Sequence, residues 1–169
     1  MWKKGSEMIF GCAGSLRGMQ LLAYNTAVPP MKKGQTVEEY LIIDFADAMK
    51  EALIHGGELQ EKDGIQEHSN HFILGFEERL FTFHEDMCFV EVVEEYTAIG
   101  SGSGYALGSL YSTGKMKAKP KERIELALKA AQQFDAYVQG PYDIVSIDRA
   151  NGDMMDKILG NAQKIMDEE

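Results

Sequence analysis

Apolar residues recur along this chain with two different periods, and the places where the period changes divide it into elements. Met8-Ile9-Phe10-Gly11 is a short apolar run of the kind a buried strand makes. Leu16, Met19, Leu22 and Ala23 then fall at helical spacing and predict a helix over residues 16–24, with Pro29-Pro30 in the loop beyond it. Thr36 and Glu39 stand three apart, as a capping box requires, ahead of the stripe Tyr40, Leu41, Phe45, Met49 and Leu53. Gly56-Gly57 ends that second helix. The polar segment ELQEKDGIQEHSN breaks the pattern as a loop or sheet edge. HFILGF, RLFTFH and CFVEVV after it read as short strands, reversing at Glu77-Glu78 and Glu85-Asp86. A helix is expected over residues 105–113, and a longer one begins at Pro120 and carries Ile124, Leu126, Leu128, Ala131 and Phe134. YDIVSID alternates as a strand, Asn151-Gly152 turns the chain, and Met155, Ile158, Leu159, Ala162 and Ile165 mark a last helix.

Helices and strands are thus grouped, with two helices before an antiparallel meander and two after it. Grouping of this kind predicts an α+β fold and not the strict alternation of a doubly wound sheet. The length of 169 residues fits a single domain spanning residues 1–169, with about two-thirds of its unfolded surface buried. Lys and Arg number 17 against 27 Asp and Glu, and a formal charge of -10 argues against a nucleic-acid-binding face or adsorption to anionic lipid. No stretch approaches the roughly 20 apolar residues of a membrane-spanning helix. The opening MWKKGSEMIFGCAG lacks the unbroken apolar core of a signal peptide. Cys12 and Cys88 form no CxxC, so a reducing compartment, the cytoplasm, is the expectation.

The stretch AIGSGSGYALG, residues 98–108, follows an apolar run and precedes a helix, as a phosphate cradle would. It lacks the GK[ST] ending of a P-loop, and the region about 20 residues on, where a dinucleotide fold carries an acidic residue at a strand end, is the start of a helix. A glycine turn that lets a helix pack closely is the plainer reading. Cys12 sits in an apolar, glycine-bounded setting that suits a buried thiol better than a nucleophile. His68 and His71 make an H-x-x-H pair without a third ligand, Glu91, Glu94 and Glu95 read as a solvated cluster, and Met19, Met49 and Met155 read as core filler.

Four stretches in order carry a family resemblance. Tyr96-Thr-Ala-Ile-Gly-Ser-Gly-Ser-Gly-Tyr-Ala-Leu-Gly resembles the strand, GSG loop and helix of proteasome β-subunits and bacterial HslV. Glu7-Met-Ile-Phe-Gly-Cys-Ala-Gly resembles their strand ending in an Ala-Gly turn, and residues 10–22 its continuation into a helix. PKERIELALKAAQQF and Asp135-Ala-Tyr-Val-Gln-Gly-Pro-Tyr-Asp-Ile resemble the helix after the loop and the D-x-x-S-G-G segment. The resemblance implies an N-terminal nucleophile (Ntn) hydrolase, an αββα four-layer sandwich that hydrolyses peptides or unfolded proteins inside a ring of identical subunits, without a cofactor and with an ATPase as a possible unfolding partner. The nucleophile in that family is an N-terminal threonine whose α-amine, with a reference pKa near 8, serves as base.

Position by position, the resemblance puts Gly14 on the oxyanion glycine, Ser101 on the loop serine that supports the nucleophile's amine, and Asp135 on the aspartate of the same network. Each also has a structural reading, as a turn glycine, a loop cap and a helix-end residue. Two departures stand beside them. Val138 occupies the place of a second supporting serine, and the family's threonine, aspartate and lysine fall in a segment ahead of the strand that resembles residues 2–10. The sequence therefore reads as N-terminally incomplete by two strands, with open sheet edges that favour self-association. It is either a peptidase shown without its nucleophile or a non-catalytic subunit of the same fold; a nucleotide-binding module rests on the glycine loop alone.

Overall fold

The computed structural model describes residues 8–62 and 65–146. Strand β1 (Met8–Ala13) leads into helix α1 (Leu16–Asn25). A second helical run follows in three parts: a short α2 (Val37–Glu39), a π-helical stretch (Tyr40–Phe45) and α3 (Ala46–His55). Then come β2 (Gln60–Lys62), β3 (Ile65–Glu67), β4 (His71–Phe76), β5 (Arg79–Phe83) and β6 (Phe89–Glu91), and finally helices α4 (Ser103–Ser112) and α5 (Pro120–Phe134). β1, β4, β5 and β6 form one antiparallel sheet in that order, while β2 and β3 pair separately. The α+β expectation holds at this level: helices are grouped around an antiparallel sheet.

Local chemistry explains the boundaries. Thr36 Oγ1 accepts the Glu39 N–H at 3.2 Å and the Thr36 N–H donates to Glu39 Oε2 at 2.9 Å, which is the expected capping box. β4 and β5 are joined by Glu77 and Glu78 alone, both at positive φ, 49° and 62°, as the tight primed reversal of a hairpin requires. Pro120 occupies the first turn of α5, where its missing N–H costs no helical bond.

Alternation in β4 and β5 turns Phe72, Leu74, Phe76, Phe81 and Phe83 to one face, where they are buried with Tyr40, Leu41, Phe45, Met49, Ala52 and Leu53 of the helical run. Ring contacts tie the strands across this face: Phe72 stacks on Phe83 at 5.5 Å and Phe10 on Phe72 at 5.0 Å. A second, smaller cluster of Ala106, Leu110, Ala127 and Ala131 lies between α4 and α5.

The polar segment after α3, read as a loop or sheet edge, pairs as β2 and β3. Two expectations are corrected. The second helix is not uniformly α-helical, because Tyr40–Phe45 widens to a π-helix. Residues 142–146, the described part of the expected YDIVSID strand, join no ladder among the described residues. Asn151-Gly152 and the last expected helix lie outside the described residues. No helix among those described is long and apolar enough to cross a membrane.

Candidate functional site

β1 ends where Ala13 gives way to Gly14, whose φ of +129° suits glycine and strains any other residue. The turn is crowded as well as left-handed: a β-carbon on Gly14 would lie 2.2 Å from the Ser69 carbonyl oxygen. Ser15 follows as the N-cap of α1, its hydroxyl accepting the Gly18 N–H at 3.2 Å and donating to Glu58 Oε2 at 2.6 Å. The Ala-Gly turn is therefore fixed from both sides, and Gly14 itself is exposed at its tip.

The glycine-rich loop reaches this turn from the other half of the molecule. Gly100 has φ +95°, and a β-carbon there would meet Ala13 Cβ at 3.6 Å. Gly102 is buried, and a β-carbon on it would come within 2.8 Å of Val138 Cγ2 and 2.9 Å of Ala131 Cβ. Gly100 thus faces the end of β1 and Gly102 faces α5 and the segment after it, with exposed Ser101 between the two. Gly102 fits the reading of a packing glycine, and it starts α4 without a side-chain cap. Asp135 caps the C-terminus of α5, where its Oδ1 accepts the Tyr137 N–H at 2.8 Å and its carbonyl accepts the Val138 N–H at 3.2 Å. Val138, in place of the expected serine, presents methyl groups to Gly102.

The other candidates separate from this junction. Burial pushes the Cys12 thiol up to about 12, which keeps it protonated and a poor nucleophile. His68 is buried while His71 is exposed at the start of β4, and no group of three metal-ligating side chains exists among the described residues. Glu91 is not merely solvated: it shares Arg79 with Glu38, and hydrogen bonding to that guanidinium holds both carboxyls below their ordinary value. Met49 is core, fully buried beside Leu53, while Met19 is only half-buried on α1 and Met155 lies outside the described residues.

Sequence reasoning missed Ser15, Glu58, His68 as a backbone acceptor, and Asn70. Asn70 is fully buried, and its N–H donates to His68 Nδ1 at 3.2 Å. The spacing of Gly14 and Gly18, four apart on one side of a turn, was the available signal that something presses there.

No protein-family model and no curated protein matches the chain. Solved structures do. Thiobacillus denitrificans BPH matches with a TM-score of 0.66 at 22% identity, over 80% of this chain and 72% of that one, and the same protein in complex with epoxomicin matches at 21%. Anbu (ancestral beta-subunit) from Yersinia bercovieri matches with a TM-score of 0.53 at 13% identity, over 96% and 79% of the two chains. Anbu from Hyphomicrobium sp. strain MC1 gives 0.53 at 16%, over 99% and 82%. These findings correct the resemblance to proteasome β-subunits and HslV: the structures found are BPH and Anbu, and no family model places the chain with HslV. At such identities the likeness is one of fold, and in fold this chain is similar to BPH and Anbu, with the Ala-Gly turn and the glycine loop meeting at one point.

Proposed function

We propose that the chain is a peptidase subunit of the Ntn-hydrolase kind, acting on peptides or unfolded proteins within a multi-subunit chamber. The observation that carries this reading is the meeting of three separate stretches, Ala13-Gly14, Gly100-Ser101-Gly102 and Asp135–Val138, in a fold shared with BPH, a protein solved with epoxomicin bound.

The roles follow from the chemistry each group offers. The Gly14 N–H, at an exposed turn held open by positive φ, donates to the oxygen that becomes negative when the scissile carbonyl is attacked. The Ser101 hydroxyl and the Asp135 carboxylate support the amine that accepts the nucleophile's proton. Asp135 is oriented for that task by the Tyr137 N–H on its Oδ1. No cofactor takes part. The four-layer arrangement, the single domain, the ring of copies and the cytoplasmic setting belong to the same proposal.

A second reading, a non-catalytic subunit with this fold, draws support from Val138: an apolar contact with Gly102 stands where a second hydroxyl would extend the polar network.

The test is hydrolysis of peptidyl-aminocoumarin substrates by the protein purified from its native source, with intact mass and N-terminal residue determined on the same material. Hydrolysis that epoxomicin blocks, reduced about 100-fold or more by Gly14→Ala, supports the peptidase reading. Absence of both hydrolysis and epoxomicin binding assigns the non-catalytic role.

A further inference from the structure

Asn70 touches β1, the turn and α1 at once. Its side-chain carbonyl oxygen lies 3.8 Å from Cys12 Sγ and 2.9 Å from the place of a β-carbon on Gly14. Its side-chain nitrogen lies 2.2 Å from the place of a β-carbon on Gly18. Residues 12, 14 and 18 therefore close around one side chain, which is 0% exposed. His68 holds that side chain's backbone in place: its Nδ1 accepts the Asn70 N–H, and its ring is packed between Phe72 at 5.3 Å and Phe83 at 5.5 Å. Asn70 Nδ2 and His68 Nε2 have no hydrogen-bond partner among the described residues. A buried amide kept at such a cost, where an apolar side chain of similar size would avoid it, points to a positional task.

We propose that Asn70, held by His68, is a positioning residue that sets the direction of the Gly14 N–H by wedging apart the end of β1 and the first turn of α1. The proposal rests on the peptidase reading for its catalytic consequence, though not for its structural one. Ser15 and Glu58 brace the same turn from the outer side, so removing the wedge leaves the helix formed while freeing the angle between strand and helix and loosening the hydrogen bonds of its first turn. Loss of direction at an oxyanion donor lowers turnover without weakening ground-state binding.

The experiment compares Asn70→Ala and Asn70→Ser with Leu53→Ala, a buried change on α3 in the same core. Two quantities are read on the protein from its native source: kcat and KM for a peptidyl-aminocoumarin, and hydrogen exchange of the Gly18 and Met19 amides, which bond to Ser15 Oγ and to the Ser15 carbonyl oxygen. The expected result is a kcat reduced at least about tenfold with KM within about twofold, and Gly18 and Met19 exchange accelerated about tenfold, in the Asn70 variants and not in Leu53→Ala. Exchange no faster than in Leu53→Ala, or an unchanged kcat in an active protein, overturns the proposal. Should the unmutated protein cleave no peptide, the peptidase reading fails by itself, and the exchange comparison alone upholds or overturns the wedge.

Discussion

The side-chain nitrogen of Asn70 lies 2.2 Å from the point a β-carbon on Gly18 would occupy. Alanine is intrinsically better than glycine inside a helix by about 1 kcal/mol, so Gly18→Ala would ordinarily stabilise α1. Here the methyl group overlaps a buried amide that cannot retreat, and overpacking of that kind costs about 1–3 kcal/mol. Gly18→Ala is therefore expected to lower stability, and to raise it when Asn70 is already alanine. Urea unfolding of the two single variants and the double variant measures the coupling. Additive effects would mean that the two residues do not press on one another.

Acid should weaken the fold through His68. Burial, and then the nearby charge of His71, hold its pKa below the ordinary value of 6.5, against smaller opposing influences from the Asn70 backbone, Glu85 and Asp86. The unfolded chain takes up this proton near 6.5 and the folded chain only at lower pH. The contribution to stability is complete above 6.5 and is lost as pH falls from there toward the folded value. His68→Phe, placed between Phe72 and Phe83, should be less stable at pH 7.5 because the Asn70 N–H loses its acceptor, yet should lose less between pH 7.5 and 5.5 than the unmutated protein. Equal losses in the two proteins would remove His68 from the pH response.

The two thiols should differ in reactivity. Cys12 is held protonated, its pKa near 12, whereas Cys88 is exposed in the turn before β6. Iodoacetamide at pH 8 is expected to alkylate Cys88 at least about ten times faster than Cys12 in the folded protein, with the difference abolished in urea. Peptide mapping by mass spectrometry reads the ratio, and equal rates in the folded state would contradict the burial of Cys12.

Thr36→Ala removes the hydroxyl that caps the second helical run, and should cost about 1 kcal/mol. Glu39→Gln keeps the capping-box geometry and should cost less. Thermal melts of both variants test the order.

Elements set by short-range chemistry were legible in the sequence. The Thr36 capping box, Pro120 at a first helical turn, and the Glu77-Glu78 reversal between apolar alternations each depend on residues a few positions apart. The π-helical stretch was not legible, since Tyr40–Phe45 keeps a helical apolar stripe while its hydrogen bonding widens. The β2–β3 ladder reads equally as loop or sheet edge because its sequence is polar but for Ile65. At the site, glycines marked the turn and the loop. Their meeting place depends on a contact between residues 13 and 100, which no local pattern encodes. Asn70 was harder still: in EHSNHF it has the composition of a surface turn, and only the fold buries it.

The apolar interior is divided unequally. Among the described residues, thirteen buried ones gather around the sheet, and four hold α4 to α5. Cooperative units of such different size open with different free energies, and the smaller one opens first. Ser101 and Asp135 are carried by that weaker unit, while Gly14 belongs to the stronger one. Their junction is thus a seam between a stiff half and a yielding half. A ligand that spans the seam gains by tying the two together, and should slow amide exchange in α4 and α5 more than in β4 and β5.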